Sequence, residues 1–471
     1  MHSFSYHDDC FVDMPFGKKT DLTSGVDVDF DRIYDEAIAP AIVEVGLEPI
    51  RGDREQTGGI IHLPMFGRLL LSPFVVADLT LANPNVFYEL GIRHTAKPAT
   101  TVPIYASIHP IPFDIGMVRA IPYTLTNGKL SDEAVVKLKR DLSERLKQAI
   151  ETSASKDSPI FQLINNFPPL SLPPEVEKIF ADVVAQSDSF RKQLSEARAE
   201  NSDKERRAAL LEIKAKLRKI RAAPAGALMD LMLSLRDASG WEEVVQLSDE
   251  FPDYLKAYPV VQQQRAMALN RRNQPGDREE AKQILTCLLE EKGPDPETFG
   301  ILGRLYKDLY QELQVMEDIT ASAALDAAID AYTRGFESDP RDYYPGVNAI
   351  TLIVEKGDSE DAINRLMPLV SFAVDRKGGL ASGDYWVRAT FLELAAVRRD
   401  WSAALKALPK VLMTANASWM VESTLKNLRL LQAARRRSGE DVPHLNQVIG
   451  EFQKAFDKMR GAEANAAKAS A

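Results

Sequence analysis

The stretch Pro73-Phe74-Val75-Val76-Ala77-Asp78, continued by Leu79-Thr80-Leu81-Ala82-Asn83-Pro84-Asn85 and then Val86-Phe87-Tyr88-Glu89-Leu90-Gly91, turns an extended apolar run into a helix. A short apolar run without polar alternation fits a parallel strand covered on both faces, here ending at Asp78. Asn83-Pro84-Asn85 stops the extended chain, and Asn85 is predicted to cap a helix from Val86 to Thr95. Asp78 and Glu89 are therefore expected to face one crevice at the carboxyl edge of a sheet, where α/β folds bind ligands.

Strand and helix patterns alternate on both sides of this segment. Cys10–Met14, Leu47–Arg51, Phe74–Asp78, Val102–Ala106 and Ala120–Leu125 read as strands. Phe30–Val45, Ile60–Leu71, Val86–Thr95 and Ser131–Ile150 read as helices, with Asp132 and Glu133 suited to a helix start. Residues 1–153 are thus expected to form an α/β, flavodoxin-like domain with a doubly wound parallel sheet. Prolines punctuate residues 154–175, which read as a linker that docks or hangs free. Residues 176–221 hold no Gly or Pro after Pro174 and are rich in Ala, Glu, Lys, Arg and Leu, so one or two long exposed helices are expected.

From residue 222 to 440 only helical periodicity remains, and it repeats. Phe299, Leu302, Gly303 and Tyr306, with Ala328, Tyr332 and Pro340, match the two halves of a tetratricopeptide repeat. The halves are too far apart, so Gln311 to Ala323 reads as an insertion. Weaker copies pair Ala266 with Ala281, Val347 with Ala362, and Ala389 with Ala404. The expectation is an all-α TPR-like solenoid of four or five repeats, then a C-terminal helix and frayed tail over 441–471.

Composition narrows the function. The 471 residues suggest two or three domains, and a net charge of −10 argues against coating an extended nucleic acid. Cys10 and Cys287 fall in different predicted domains, which suits a reducing cytoplasm better than a disulfide framework. No signal-peptide pattern or membrane-length apolar run is present. The histidines lack metal-ligand spacing, and neither a metal nor a cofactor is expected.

Asp78 with Asn85-Val86-Phe87-Tyr88-Glu89-Leu90-Gly91 resembles the active-site segment of the nucleoside 2-deoxyribosyltransferase and deoxynucleotide N-glycosidase superfamily. The wider pattern, Cys10 to Gly17, Arg51-Gly52-Asp53 and Arg93-His94, is similar to a bacterial branch related to TIR NAD-cleaving domains. At strand one the pattern departs from the transferases, with Met14-Pro15-Phe16-Gly17 where they place a tyrosine or a Gly-rich turn. The resemblance implies Glu89 as nucleophile, Asp78 as the carboxyl group that helps the base leave, and Gly91 as the point where the helix approaches its neighbour. Met14, Phe16, Gly17, Arg51, Asp53, Asn85 and Tyr88 would line a nucleoside, nucleotide or NAD-like substrate. Such chemistry needs a carboxylate near the anomeric carbon and an acid for the departing base, one with a pKa raised by burial beside another carboxylate. The plainer alternative is that Asp78 ends a strand and Glu89 faces the positive end of its helix.

Residues 220 to 440, with Leu228-Met229-Asp230-Leu231 and the repeats, resemble the regulatory region of the apoptosis signal-regulating kinases, often labelled a TRAF-binding domain. The array carries no clustered His, Cys or acidic constellation and a solenoid offers concave faces, so a protein or peptide partner on the repeats, or a homo-oligomer, is expected; the two-part design resembles bacterial sensors or effectors of stress or anti-phage systems. Two functions from different classes follow. One is an N-glycosidase controlled by its helical array; the other is a non-catalytic nucleotide-sensing or protein-interaction scaffold.

Overall fold

The structure, a computed structural model, describes residues 9–21, 25–52, 62–108, 118–151, 156–173, 189–190, 192–200, 202–217, 223, 225–357 and 360–469. Two compact units are resolved: Met1–Gln193 with Ala222–Asp230, and Leu194–Arg221 with Leu231–Ala471.

The first unit is built on a five-stranded parallel sheet of order β4-β1-β5-β6-β7. Its strands are β1 (Asp9–Asp13), β4 (Glu48–Arg51), β5 (Phe74–Asp78), β6 (Thr101–Ala106) and β7 (Ile121–Tyr123). The first strand lies second in the sheet, the order of one common doubly wound topology. A hairpin of β2 (Lys18–Thr20) and β3 (Asp27–Asp29), too short and polar to show in the sequence pattern, follows β1.

Helix α1 runs through Phe30–Ile33, Tyr34–Ile38 and Ala39–Glu44, its middle residues in π geometry. It and α4 (Asp132–Glu151) cover one sheet face, burying Cys10, Val12, Val76, Val102 and Ile104. Helices α2 (His62–Leu71) and α3 (Pro84–Ala96) cover the other, where Phe11, Val75 and Ala77 are buried. The cap of α3 is Asn83 and not Asn85, because Pro84 takes the first helical position and Asn83 Oδ1 accepts the Asn85 N–H at 2.9 Å.

The proline-punctuated stretch is docked. Asp157 and Ser158 donate backbone N–H groups to Pro98 O, Ser158 Oγ donates to His94 O at 2.6 Å, and Leu170 N donates to Ala96 O. Phe161, on the short helix α5 (Pro159–Leu163), is buried.

In the second unit, α6 (Asp203–Lys216) starts at Ser202, whose hydroxyl accepts the Glu205 N–H. The described part of 176–221 holds helical residues on both sides of Glu200–Ser202, and Leu194, Ala197, Leu210 and Ile213 are buried, so this segment is not solvated all round. Helix α7 (Ala225–Asp237) crosses the division between the units. After α8 (Trp241–Glu250) and the single turn α9 (Asp253–Lys256), helices come as packed pairs: α10 (Pro259–Arg272) with α11 (Asp277–Lys292), α12 (Pro296–Val315) with α13 (Ala321–Ser338), α14 (Tyr343–Lys356) with α15 (Glu360–Arg376), α16 (Tyr385–Val397) with α17 (Trp401–Thr414), and α18 (Ser418–Arg437) with α19 (Pro443–Ala469).

Their starts follow capping chemistry. Asp295, Asp384 and Asp400 accept backbone N–H groups of Thr298, Val387 and Ala403. Small residues permit close crossings: a Cβ on Gly303 would lie 2.8 Å from the Tyr332 ring. The extra residues over 311–323 are carried mainly by helix, since α12 continues to Val315 and α13 resumes at Ala321. The first helices of successive pairs touch one another, and α14 also touches α18, so they line the inner side of a tightly curled array.

Candidate functional site

The parallel register pairs Asp13 with Ala77, and pleating sends neighbouring residues to opposite faces. Asp13 and Ala77 therefore share the face covered by α3, while Asp78 points to the other. Among the described residues no hydrogen bond joins Asp78 to Glu89, although the charge of Asp78 reaches Asp13, the partner of Glu89.

Asp78 is completely buried and held by the protein itself. Its Oδ1 accepts the Thr80 N–H at 3.0 Å and the Thr80 hydroxyl at 2.6 Å, and its Oδ2 accepts the Tyr123 hydroxyl at 2.8 Å. Thr80 Oγ1 in turn accepts the Ala106 N–H. These bonds tie the ends of β5, β6 and β7 into an Asx turn. Burial lifts the Asp78 pKa to about 6 even though the bonds from Thr80 and Tyr123 favour its anion. The turn continues through Leu81 at φ 62 and Ala82 at φ 49, two left-handed non-glycine residues that cost roughly 1–3 kcal/mol each.

Glu89 has a different carboxyl partner, Asp13, for which sequence reading assigned no role. Asp13 ends β1, is 2% exposed, and its carboxyl is pushed well above the usual range. Burial is the main cause, followed by a hydrogen bond with Glu89 and the charges of Glu89 and Asp78. No protein donor reaches Asp13 Oδ2. The available signal was positional, since an acid closing a central strand beside β5 must sit at the carboxyl edge.

The other candidate residues are drawn into the fold or left in solvent. Met14 is buried in the core, and Phe16 carries Lys19 Nζ 4.5 Å from its ring centroid. Gly17 N donates to Asp31 Oδ1 at 3.0 Å, and Arg51 Nη2 pairs with the same oxygen at 2.9 Å while stacking on Tyr34. Asn85 and Tyr88 are exposed, Tyr88 by 60%. Asp53 lies outside the described residues. Gly91 does not mediate a close approach, since a Cβ there would meet nothing within 4 Å.

Arg93 is structural. Its guanidinium donates to the carbonyls of Leu69, Ser72 and Pro73 at 2.8–3.1 Å, and burial lowers its pKa to about 10. Among the described residues no group of three or more His, Cys, Asp or Glu is placed to hold a metal ion, and no helix is long and apolar enough to cross a membrane.

A second buried polar cluster occupies the inner side of the array. Lys307 Nζ on α12 donates to Asn348 Oδ1 on α14 at 3.2 Å and to Asn427 Oδ1 on α18 at 2.9 Å. Asn427 Nδ2 donates onward to Glu393 on α16 at 3.3–3.4 Å. Burial lowers Lys307 to about 8 and raises Glu393 to about 7. Side chains fill the inner side here, so this part is not an open trough for a peptide. The run Arg435-Arg436-Arg437 also serves the fold: Arg435 binds the Ala396 and Val397 carbonyls, and Arg437 binds the Glu355 carbonyl.

The family described as MAP3K TRAFs-binding domain matches residues 86–456, from the first turn of α3 into α19. Mitogen-activated protein kinase kinase kinase 5 of Homo sapiens is 24% identical over 452 residues, covering 87% of this chain and 32% of the kinase. Mitogen-activated protein kinase kinase kinase 15 of Mus musculus is 25% identical over 419 residues, 80% of this chain and 30% of that one. Mitogen-activated protein kinase kinase kinase nsy-1 of Caenorhabditis elegans is 30% identical over 218 residues, 43% and 14%. The chain spans a third or less of the length of these relatives.

These matches overturn the expectation of a nucleoside, nucleotide or NAD N-glycosidase. What the chain shares with these kinases is a TRAFs-binding region. The relatives are animal kinases, so they lend nothing to a bacterial or TIR-related assignment of the first unit. The match runs through α3 and nearly the whole helical array, and the chain belongs to the MAP3K TRAFs-binding domain family.

Proposed function

We propose that this chain is a non-catalytic docking module of a kinase-type signalling pathway, whose TPR-like helical pairs take a TRAF-type protein as partner. The family match across residues 86–456 carries this reading, because it covers the array and not a kinase catalytic region. The first unit, flavodoxin-like in strand order, acts here as a rigid folded support. Its edge carboxylates fit that role, since Asp78 has both oxygens engaged and Asp13 pairs with Glu89. A cytoplasmic setting accords with the free thiols Cys10 and Cys287.

The test is calorimetric titration of the purified full chain with purified TRAF C-terminal domains. Saturable binding at about micromolar affinity is expected for at least one of them. Absence of binding across the set removes the docking reading.

A further inference from the structure

Helix α15 turns one stripe toward the core, with Leu366, Met367, Val370, Ala373 and Val374 buried. The opposite stripe of a soluble helix is ordinarily polar. Here Arg365, Leu369, Phe372 and Arg376, spaced by four, three and four residues, share one exposed face. Leu369 is 53% exposed and Phe372 67% exposed, so two bulky apolar groups stand in water between two guanidinium groups.

The second helix of the next pair repeats the arrangement. On α17, Lys406, Lys410 and Met413 are exposed at spacings of four and three, and Met413 is 84% exposed. Helix α16 packs against both α15 and α17. Its Arg388 donates to Lys410 O and the adjoining Arg398 to Ser371 Oγ, beside each stripe.

The charge on these faces runs against the chain as a whole. The protein carries net −10, yet α17 contains no Asp or Glu. Among the described residues none of Arg365, Arg376, Lys406 and Lys410 makes an ion pair. Glu360, Asp361 and Asp375 are the exposed carboxylates of α15, and among the described residues none of them makes an ion pair with these cations. Exposed apolar groups rimmed by polar ones mark interaction surfaces, and Arg, Met and aromatic residues are enriched there.

We propose that the outer faces of α15 and α17 form a docking surface for an acidic segment of a partner protein that carries bulky apolar anchors. Phe372 and Leu369 meet the anchors, and Arg365, Arg376, Lys406 and Lys410 meet the carboxylates. This rests on the docking reading above and specifies where and by what chemistry the array is engaged. It also moves the contact from the filled inner side to the outer one.

The experiment uses the full chain with a short fluorescent peptide of glutamates around one Leu and one Phe, and a twin with lysine for each glutamate. Binding is followed by anisotropy, self-association by sedimentation velocity, and the same variants are titrated with the TRAF domains. Leu369→Ser/Phe372→Ser and Arg365→Glu/Arg376→Glu alter exposed positions, and circular dichroism is expected to be unchanged. The acidic peptide should bind saturably and more weakly at high salt, and each double variant should lose about tenfold or more in affinity. Equal binding of the lysine twin, unchanged affinity in both variants, no saturable binding of the acidic peptide, or a dimer that Phe372→Ser dissociates each overturns the proposal. TRAF binding that survives both variants removes this surface and leaves the docking reading standing. TRAF silence on the wild type removes the docking reading, while the peptide series alone judges the surface.

Discussion

The edge of the sheet and the inner side of the helical array each bury ionisable groups, but they balance charge differently. At the edge, Asp13 and Asp78 are both fully buried acids, with Glu89 beside Asp13 and no cation among the causes that set either pKa. In the array, Lys307 and Glu393 carry opposite charges and are bridged by Asn427. Like charges in a dry place can be relieved only by a proton; opposite charges can be relieved by geometry. The first site is thus relieved by protonation, and the second by side-chain position, with its acid and its base responding to pH in opposite directions.

The largest effect expected in either unit comes from a group outside both clusters that shows what full compensation is worth. Arg93→Met strips the donors from the Leu69, Ser72 and Pro73 carbonyls and should cost about 3 kcal/mol or more. Urea unfolding combined with hydrogen exchange in β5 and β6 measures it. A loss below about 1 kcal/mol would mean that water replaces the guanidinium and that the site is less dry than described.

Next comes the array. Lys307→Met leaves Asn348 and Asn427 without their shared donor and should cost about 2 kcal/mol, whereas Glu393→Gln keeps the shape and should cost under about 1 kcal/mol. Equal losses from the two substitutions would break the claim that position, and not charge, is what this cluster needs.

The pH response sharpens the contrast. The Asp78 pKa rises from 3.8 to about 6 on folding, so between those values the folded unit binds more protons than the unfolded chain. Stability therefore falls as pH rises through that window, and the first unit should gain about 1 kcal/mol between pH 7 and 5. Asp13, raised for similar reasons, adds to the gain, and Asp13→Asn should stabilise at pH 7 and flatten the profile. In the array, Glu393 shifted up to about 7 acts in the same direction, but Lys307 shifted down to about 8 acts oppositely. Stability there should fall as pH rises from 4.5 to 7 and recover from 8 to 10.5. Hydrogen exchange against pH, read separately in β1 and α16, decides this; parallel profiles in the two units would remove the distinction.

The smallest effect tests a resemblance. Gly91 sits inside α3 with open space around the Cβ it lacks, so Gly91→Ala should stabilise the unit by about 0.5–1 kcal/mol. A loss in thermal unfolding would restore the close approach that the motif implied.

Patterning made the elements legible because hydrophobic periodicity is a local property. Phe74–Asp78 is the observed strand, and the helix start before Val86 was displaced by two residues because Pro84 pre-empts the first turn. The β2–β3 hairpin, three residues a side, left no periodic signal. The repeat spacing marked extra residues near Gln311 but not their form, and the chain places most of them in two lengthened helices.

The site was less legible, for a reason of parity. A carboxylate at a strand end is visible in the sequence, but the face it takes depends on the register against its neighbour, which is a long-range property. Asp13 pairs with Ala77 and not with Asp78, and that single step gave Glu89 a different partner. The polar cluster in the array shows the same limit, since Lys307 and Asn427 are 120 residues apart in the chain.

By itself the sequence determined that a strand–helix alternation precedes an array of helices, and that both carry the residues from which their cores are made. Those outcomes depend on nearest neighbours along the chain, where side-chain period and capping act. Only the tertiary structure decided which acids meet, which inner positions are filled, and which apolar groups on α15 and α17 remain in water. These depend on register and on the curl of the array, and both are set by packing between residues far apart in sequence.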